Sequence, residues 1–298
     1  MAEDVVRPAP AAPGPIAAAP VAAGPDFRRT SWSALARYYR GEFAAAAANN
    51  LAYRGAVVIW VVTTVIQPLV SIVVWRTVAG PGGQVAGFSA AEFVTYFAVT
   101  MLVEHLTFIW LMWEFEYRIR TGSMSPLLLR PIHPIHKDVC DNLAYKAIGL
   151  VGVVPAMVLL VVGFGGDVSA VGPWQLLAFL PALLLAMALR FLLEWVLALS
   201  AFWLTKLSAL NNLYFSLFLF LGGAFAPLAV LPGPVRTLAL ASPFPWMLAF
   251  PVEVAMGRRT GVDVFVGYAV QLGWLAVALV LLRLVWRRAV RSYSAVGA

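Results

Sequence analysis

Residues 56–75 run for twenty positions without a charged side chain. Twenty helical residues at about 1.5 Å each cover about 30 Å, the thickness of a bilayer's hydrocarbon core. In water such a stretch has to be wrapped by protein on every side. A soluble fold manages that once and not repeatedly. Five more apolar stretches follow, at 93–113, 147–162, 174–200, 211–230 and 264–286. The pattern predicts an all-α membrane protein of six transmembrane helices, with the lipid bilayer as its solvent. Composition agrees, at 62% hydrophobic and 12% charged residues, against roughly 45–50% and 25% in soluble domains.

The net charge of +7 raises nucleic acid as a partner. The placement of the charges argues against it. Sixteen Lys and Arg fall before the first span, between the second and third, between the fourth and fifth, and after the sixth; four fall on the other side, at Arg76, Arg236, Arg258 and Arg259. Basic residues collect on the cytoplasmic side of spans. Both termini are therefore expected in the cytoplasm. Cys140 is the only cysteine, so an internal disulfide is excluded.

Residues 1–26 hold six prolines among alanines and glycines and lack the apolar run of a secretory signal. They read as a disordered cytoplasmic tail. The rest, 27–298, is one six-span domain. Within it, 27–50 reads as an amphipathic helix lying in the interface: Trp32, Leu35, Tyr39 and Phe43 share one helical face beside Arg37 and Arg40. Between the fifth and sixth spans, prolines at 227, 232, 234, 243, 245 and 251 forbid one continuous helix in a segment that stays apolar. Over 227–261, two short helical pieces re-entering the outer membrane face fit that pattern.

The loop at 114–137 is the most structured hydrophilic segment. Glu114 with Arg118 and Glu116 with Arg120 are spaced as i,i+4 pairs that carry the second span past the membrane surface. Thr121-Gly122 ends that helix. Ser125-Pro126 starts another, with Ser125 as N-cap and Pro126 in the first turn. Leu127, Leu128, Leu129 and Arg130 make barely one turn before Pro131 and Pro134 close it. A turn this short is not stable alone. Its leucines need either a protein groove or the lipid interface to cover them.

Ionisable residues inside spans are costly and are functional candidates. Arg190 and Glu194 stand one turn apart and read as a self-neutralising pair or as part of a substrate path. Glu104 and His105 point about 100° apart and do not pair with each other. Each faces either a polar path or a neighbouring helix. His133 and His136 have Pro134 between them and no acid or thiol ligand adjacent, so no metal is expected. Asp138 and Asp141 read as charges favouring a helix N-terminus.

"LAYRG" (51–55), "FSAAEFVTYF" (88–97), "IRTGSMSPLLLRPIHPI" (119–135) and "PFPWMLAFPVEVAMGRRTG" (243–261), in this order around the spans, resemble the permease subunits of type-2 ABC exporters. The likeness covers about 30–290 and is closest to the bacterial six-span permeases encoded with a second permease and an ATPase. It implies a chain in the bacterial cytoplasmic membrane, exporting a hydrophobic or amphiphilic compound such as a drug, natural product or lipid. It implies that the short helix is a coupling helix, docking on an ATP-binding cassette ATPase through Arg120, Ser125, Leu127, Leu128, Leu129 and Arg130. It also implies a second permease subunit, favouring a different one over a copy, packed through the first and fifth spans. ATP and Mg would sit on the ATPase, with no cofactor and no enzymatic site in this chain. The sequence agrees in lacking a Gly-x-x-x-x-Gly-Lys-Ser/Thr phosphate loop. Two other classes compete. A polytopic enzyme acting on lipids would cluster its acids at a membrane face, and here the fourteen acids are scattered. A secondary transporter would show broken spans at matching places in two repeats, and here only the C-terminal half reads as broken.

Overall fold

The computed structural model describes residues 32–293. The tail expected at 1–26 lies outside them. Among the described residues, five stretches are long and apolar enough to cross a membrane: Val58–Ala79, Ala90–Arg120, Ile135–Phe164, Pro173–Phe202 and Val262–Ser292. The sixth apolar stretch forms a helix only over Ser208–Leu221. Fourteen residues rise about 21 Å, short of a full hydrocarbon core. Gly222-Gly223 stops the helix there, so the expected continuous span at 211–230 is not formed.

The chain begins with α1 (Trp32–Ala52) and α2 (Arg54–Ala79). A two-residue hairpin, β1 (Gln84–Val85) with β2 (Phe88–Ser89), turns it back. Next come α3 (Ala90–Thr107), α4 (Leu111–Arg120), α5 (Ser125–Leu128), α6 (Ile135–Phe164) and α7 (Pro173–Ala198). A 3-10 turn at Leu199–Phe202 leads to α8 (Ser208–Leu221). Three short helices, α9 (Gly233–Leu240), α10 (Phe244–Met247) and α11 (Ala249–Ala255), precede the last, α12 (Val262–Ser292).

Helix α3 starts sharply because Ser89 and Glu92 form a reciprocal capping box. It is the centre of the bundle, packed on α2 and α6 and carrying the aromatic core of Phe93, Tyr96 and Phe97. Helix α7 is the second pillar, against α12, α11 and α4. By contrast only 11% of the apolar window of α2 is buried. Its uncovered side, with Val58, Val62, Ile66, Val70 and Val73, is one continuous apolar face. In water, exposed apolar area costs about 25 cal/mol per Å². Lipid or another apolar chain removes that cost.

The second span is not one helix. It breaks at Phe108–Trp110, between α3 and α4, although "LTFIWLM" has neither glycine nor proline. The Asn142 side chain donates to the Phe108 carbonyl at 3.2 Å, satisfying one group freed by the break.

Of the helix expected at 27–50, residues 27–31 lie outside the described residues; the rest is helical, within α1, which lies on α6. Tyr39 and Leu35 turn inward; Trp32 and Phe43, from the same predicted stripe, stay exposed.

Candidate functional site

Helix α1, the end of α12 and the α4–α5 connection meet at one end of the bundle, the hook end. Helix α4 closes at Arg120, and Gly122 takes φ +74° directly after it. The Met124 N–H then donates back to the Arg118 carbonyl at 3.1 Å, folding the hook on itself. Helix α5 follows in four residues, with Leu129 N–H bonded to the Ser125 carbonyl at 3.2 Å.

Two details of this hook differ from the sequence reading. Ser125 is not the N-cap. Met124 holds that place with helical dihedrals, and the Ser125 hydroxyl is spent on the Tyr293 hydroxyl at 2.7 Å, fastening the hook to the end of α12. Nor does Glu116 pair with Arg120. It accepts from the Leu207 N–H at 2.8 Å and so helps to start α8. Glu114 and Arg118 do pair, at 2.9 Å.

The hook has two faces. Met124 and Leu127 are buried, and Leu128 is partly so. Leu129 is 84% exposed, and Arg120, Arg130 and Pro131 are exposed beside it. Behind this outer face the supports are rigid. Arg118 reaches Asp138 of α6 at 2.7 Å, and Trp195 of α7 donates to the same carboxylate at 2.9 Å. Asp138 thus ties three elements together; it is no mere helix-start charge. The His133 ring lies between Trp195 and Trp286, 5.4 and 4.4 Å away between centroids. Burial pushes its pKa down to about 4, with His136 adding to the shift, so the ring is neutral at pH 7. Helix α1 is attached here too: Tyr39 bonds His136 at 2.8 Å, and Glu42 faces Lys137 and Arg130 at 3.6 and 3.9 Å. Burial, with Glu42 nearby, raises the Tyr38 phenol to about 12.

Deeper in the bundle, three of the four predicted intramembrane residues come together. Arg190 is fully buried. It bonds Glu194 at 3.0 Å, Glu104 at 3.1 Å and the Thr107 hydroxyl at 3.0 Å, and its guanidinium lies 3.9 Å from the centre of the Phe218 ring. The i,i+4 pair was legible in sequence. Glu104 joining it from α3 was not. One Glu104 oxygen is buried here without a protein partner, and the buried Tyr214 hydroxyl faces Glu194. His105 turns the other way, its Nε2 3.1 Å from the Lys146 carbonyl, and it presses on Gly149 so closely that a Cβ there would sit 2.2 Å from the ring.

At the far end, the proline-broken segment is a lid of short helices. Residues 245 and 247–256 are buried. Gly223 has φ +95°, and a Cβ on it would stand 2.7 Å from the Tyr96 hydroxyl and 2.9 Å from the Ala249 Cβ. Tyr96 donates to its carbonyl at 2.8 Å. From α2, Gln67 and Trp75 donate to the carbonyls of Ala224 and Phe225 at 3.1 and 3.0 Å. Gln271 of α12 donates to Trp246 and Ala182 at 2.8 and 2.9 Å. Of the four arginines counted on this side, two are ion-paired here, Arg258 with Glu92 across 166 positions and Arg259 with Glu253.

No curated protein and no solved structure gave a significant match. A family model described as ABC-2 family transporter protein matches residues 65–297. That stretch covers five long apolar helices in whole or large part, the hook and the lid. The chain therefore belongs to the ABC-2 family of transporter proteins.

Proposed function

We propose that this chain is the membrane permease subunit of an ATP-driven exporter, with the outer face of the hook as the grip for a separate ATPase. The observation that carries it is the hook's division into a buried and a bare side. Leu129, 84% exposed beside Arg130, sits on a helix too short to stand alone yet braced by buried polar contacts. Burying one leucine in a groove yields about 1.5–3 kcal/mol, and an arginine rim adds register. In this reading α1 lies along the cytoplasmic leaflet. Helix α8 completes a sixth crossing with the non-helical residues after Gly222, which α2, α3 and α11 cover. The lid of α9–α11 closes the outer face. The excess of basic residues at the hook end supports a cytoplasmic hook and cytoplasmic termini, in a bacterial inner membrane. The bare apolar sides of α2 and α8 suit a second permease, with a different chain favoured, and the substrate, a hydrophobic or amphiphilic compound, passes between the two.

The mechanism follows from the bracing. Nucleotide-driven closure of the ATPase pushes on α5. The push reaches α6 through Asp138 and α7 through Trp195, tilting both against α3. Two packings of the bundle, biased by nucleotide, then alternate access. The test is co-expression of this chain with the ATPase and permease encoded beside it. Leu129→Asp with Arg130→Glu should abolish ATPase co-purification and compound-stimulated ATP hydrolysis. Retention of both would refute the docking role.

A further inference from the structure

A cavity of about 580 Å³ lies beside the hook, between α1, the start of α2, the break at Phe108–Trp110 with α4, and α6. Its size falls within the ~300–1,000 Å³ of small-molecule sites. Its chemistry is uneven. Four carboxylates, Glu42, Glu114, Asp138 and Asp141, face two bases, Arg118 and Lys137. Asp138 is consumed by Arg118 and Trp195. Lys137 bonds Asp141 and reaches Glu42, which also has Arg130 from outside the walls. Arg118 also bonds Glu114, at 2.9 Å, so each wall base is shared by two carboxylates; of the four, Glu114 and Asp141 are the most exposed, at 46% and 38% of their side chains.

Aromatic rings accompany these two carboxylates. Trp110 and Glu114 are one turn apart entering α4, and Asp141 and Tyr145 are one turn apart on α6; all four line the cavity. Trp60 of α2 meets Trp110 edge to face, with centroids 5.6 Å apart. Trp110 also stacks on Trp113, with centroids 3.9 Å apart, and aromatic rings beside carboxylates that share their bases favour an organic cation over an anion. The break in the second span is a separate observation. Irregular backbone at membrane depth is tolerated where protein buries it or where it lines a cavity, and Phe108, Ile109 and Trp110 all line this one. No glycine or proline accounts for the interruption.

We propose that this cavity binds an amphiphilic organic cation, its charged centre between Glu114 and Asp141 and its apolar groups on Trp60 and Trp110. From the proposed function the inference takes only that the hook end lies in the cytoplasmic leaflet, which makes a lipid headgroup amine and a free amphiphilic cation the two sources of such a ligand. The test is calorimetric titration of the purified full chain in neutral detergent, without ATPase, so its outcome is independent of hook docking. Tetraphenylphosphonium should bind at least about tenfold more tightly than tetraphenylborate, the anion of matching size. Glu114→Gln and Asp141→Asn should each weaken the cation about tenfold and leave the anion unchanged. Phosphatidylethanolamine added to the micelles should compete if the headgroup is the natural occupant; a lack of competition assigns the site to a free cation. Equal affinity for the two ions in the unaltered chain, or cation binding unaffected by both substitutions, would overturn the proposal.

Discussion

The hook and the far-end lid are built from the same materials, prolines, a positive-φ glycine and turns too short to stand alone, yet they end in opposite states. At the lid, Gly223 is pressed between Tyr96 and Ala249, and side chains from α2, α3 and α12 take up the carbonyls of the lid and its approach. At the hook, Gly122 has open space around its α-carbon, and the helix it introduces shows Leu129 to the outside. The lid is satisfied by its own chain. The hook is braced from behind and left unfinished in front. A broken apolar segment is thus covered when its neighbours supply donors, and keeps a bare side when they supply only support.

Substitutions sharpen that contrast, beginning with the group that lies between the two ends. Arg190→Met strands Glu194 and removes the partner of one Glu104 oxygen, the other being unpaired already. Breaking a buried ion network from one side costs about 3–5 kcal/mol. Thermal unfolding in detergent should fall sharply, and Glu104→Gln with Glu194→Gln added should recover part of it. At the lid, Gly223→Val adds a forbidden φ to a steric clash and should cost about 2–4 kcal/mol. Hydrogen exchange would show faster exchange over 244–256 while the hook is unchanged. If the lid tolerated valine, its closure would not depend on that contact.

The hook carries a pH-sensitive group. His133 is held neutral with a pKa of about 4, against an ordinary 6.5. The unfolded chain takes up the proton first, so the stability given by the neutral ring is complete above pH 6.5 and is lost as pH falls toward 4. The loss is on the order of 2 kcal/mol, allowing for the ring's partial exposure. Protection factors over 121–134, corrected for the intrinsic exchange rate at each pH, should fall from pH 7 to 4.5, and His133→Gln should flatten that dependence. The smallest stability effect belongs to the outer face. Leu129→Asp should change the melting free energy by less than about 0.5 kcal/mol, because the side chain touches little of its own chain. A large loss would mean that Leu129 serves the fold and not a partner.

These two regions also mark what the sequence makes legible. Local signals carried the hook: Thr121-Gly122 as a stop, Pro126 in a first turn and Pro131 just past the end; Pro134 instead stands at the N-cap of α6. They also carried the Arg190–Glu194 pair and the proline-broken lid. What local spacing missed was decided by partners distant in the chain. Ser125 gives its hydroxyl to Tyr293, 168 positions away, and so does not cap. Glu116 has Arg120 one turn on, but the free N–H of Leu207 binds it instead. Glu104 meets Arg190 across 86 positions. The break at Phe108–Trp110 carries no glycine or proline, so no composition rule marks it. The sixth apolar stretch reads longer than α8 because apolar character continues past Gly222-Gly223 while the helix does not.

The central claim is that the outer face of the hook faces the cytoplasm and is covered by the ATPase. The native thiol, Cys140, is buried, so Leu129→Cys can be labelled against a low background with a membrane-impermeant maleimide. The account predicts labelling in inside-out vesicles, none in intact cells, and protection when the ATPase is co-expressed. Labelling of Leu129→Cys from outside the cell, or equal labelling with and without the ATPase, would contradict it.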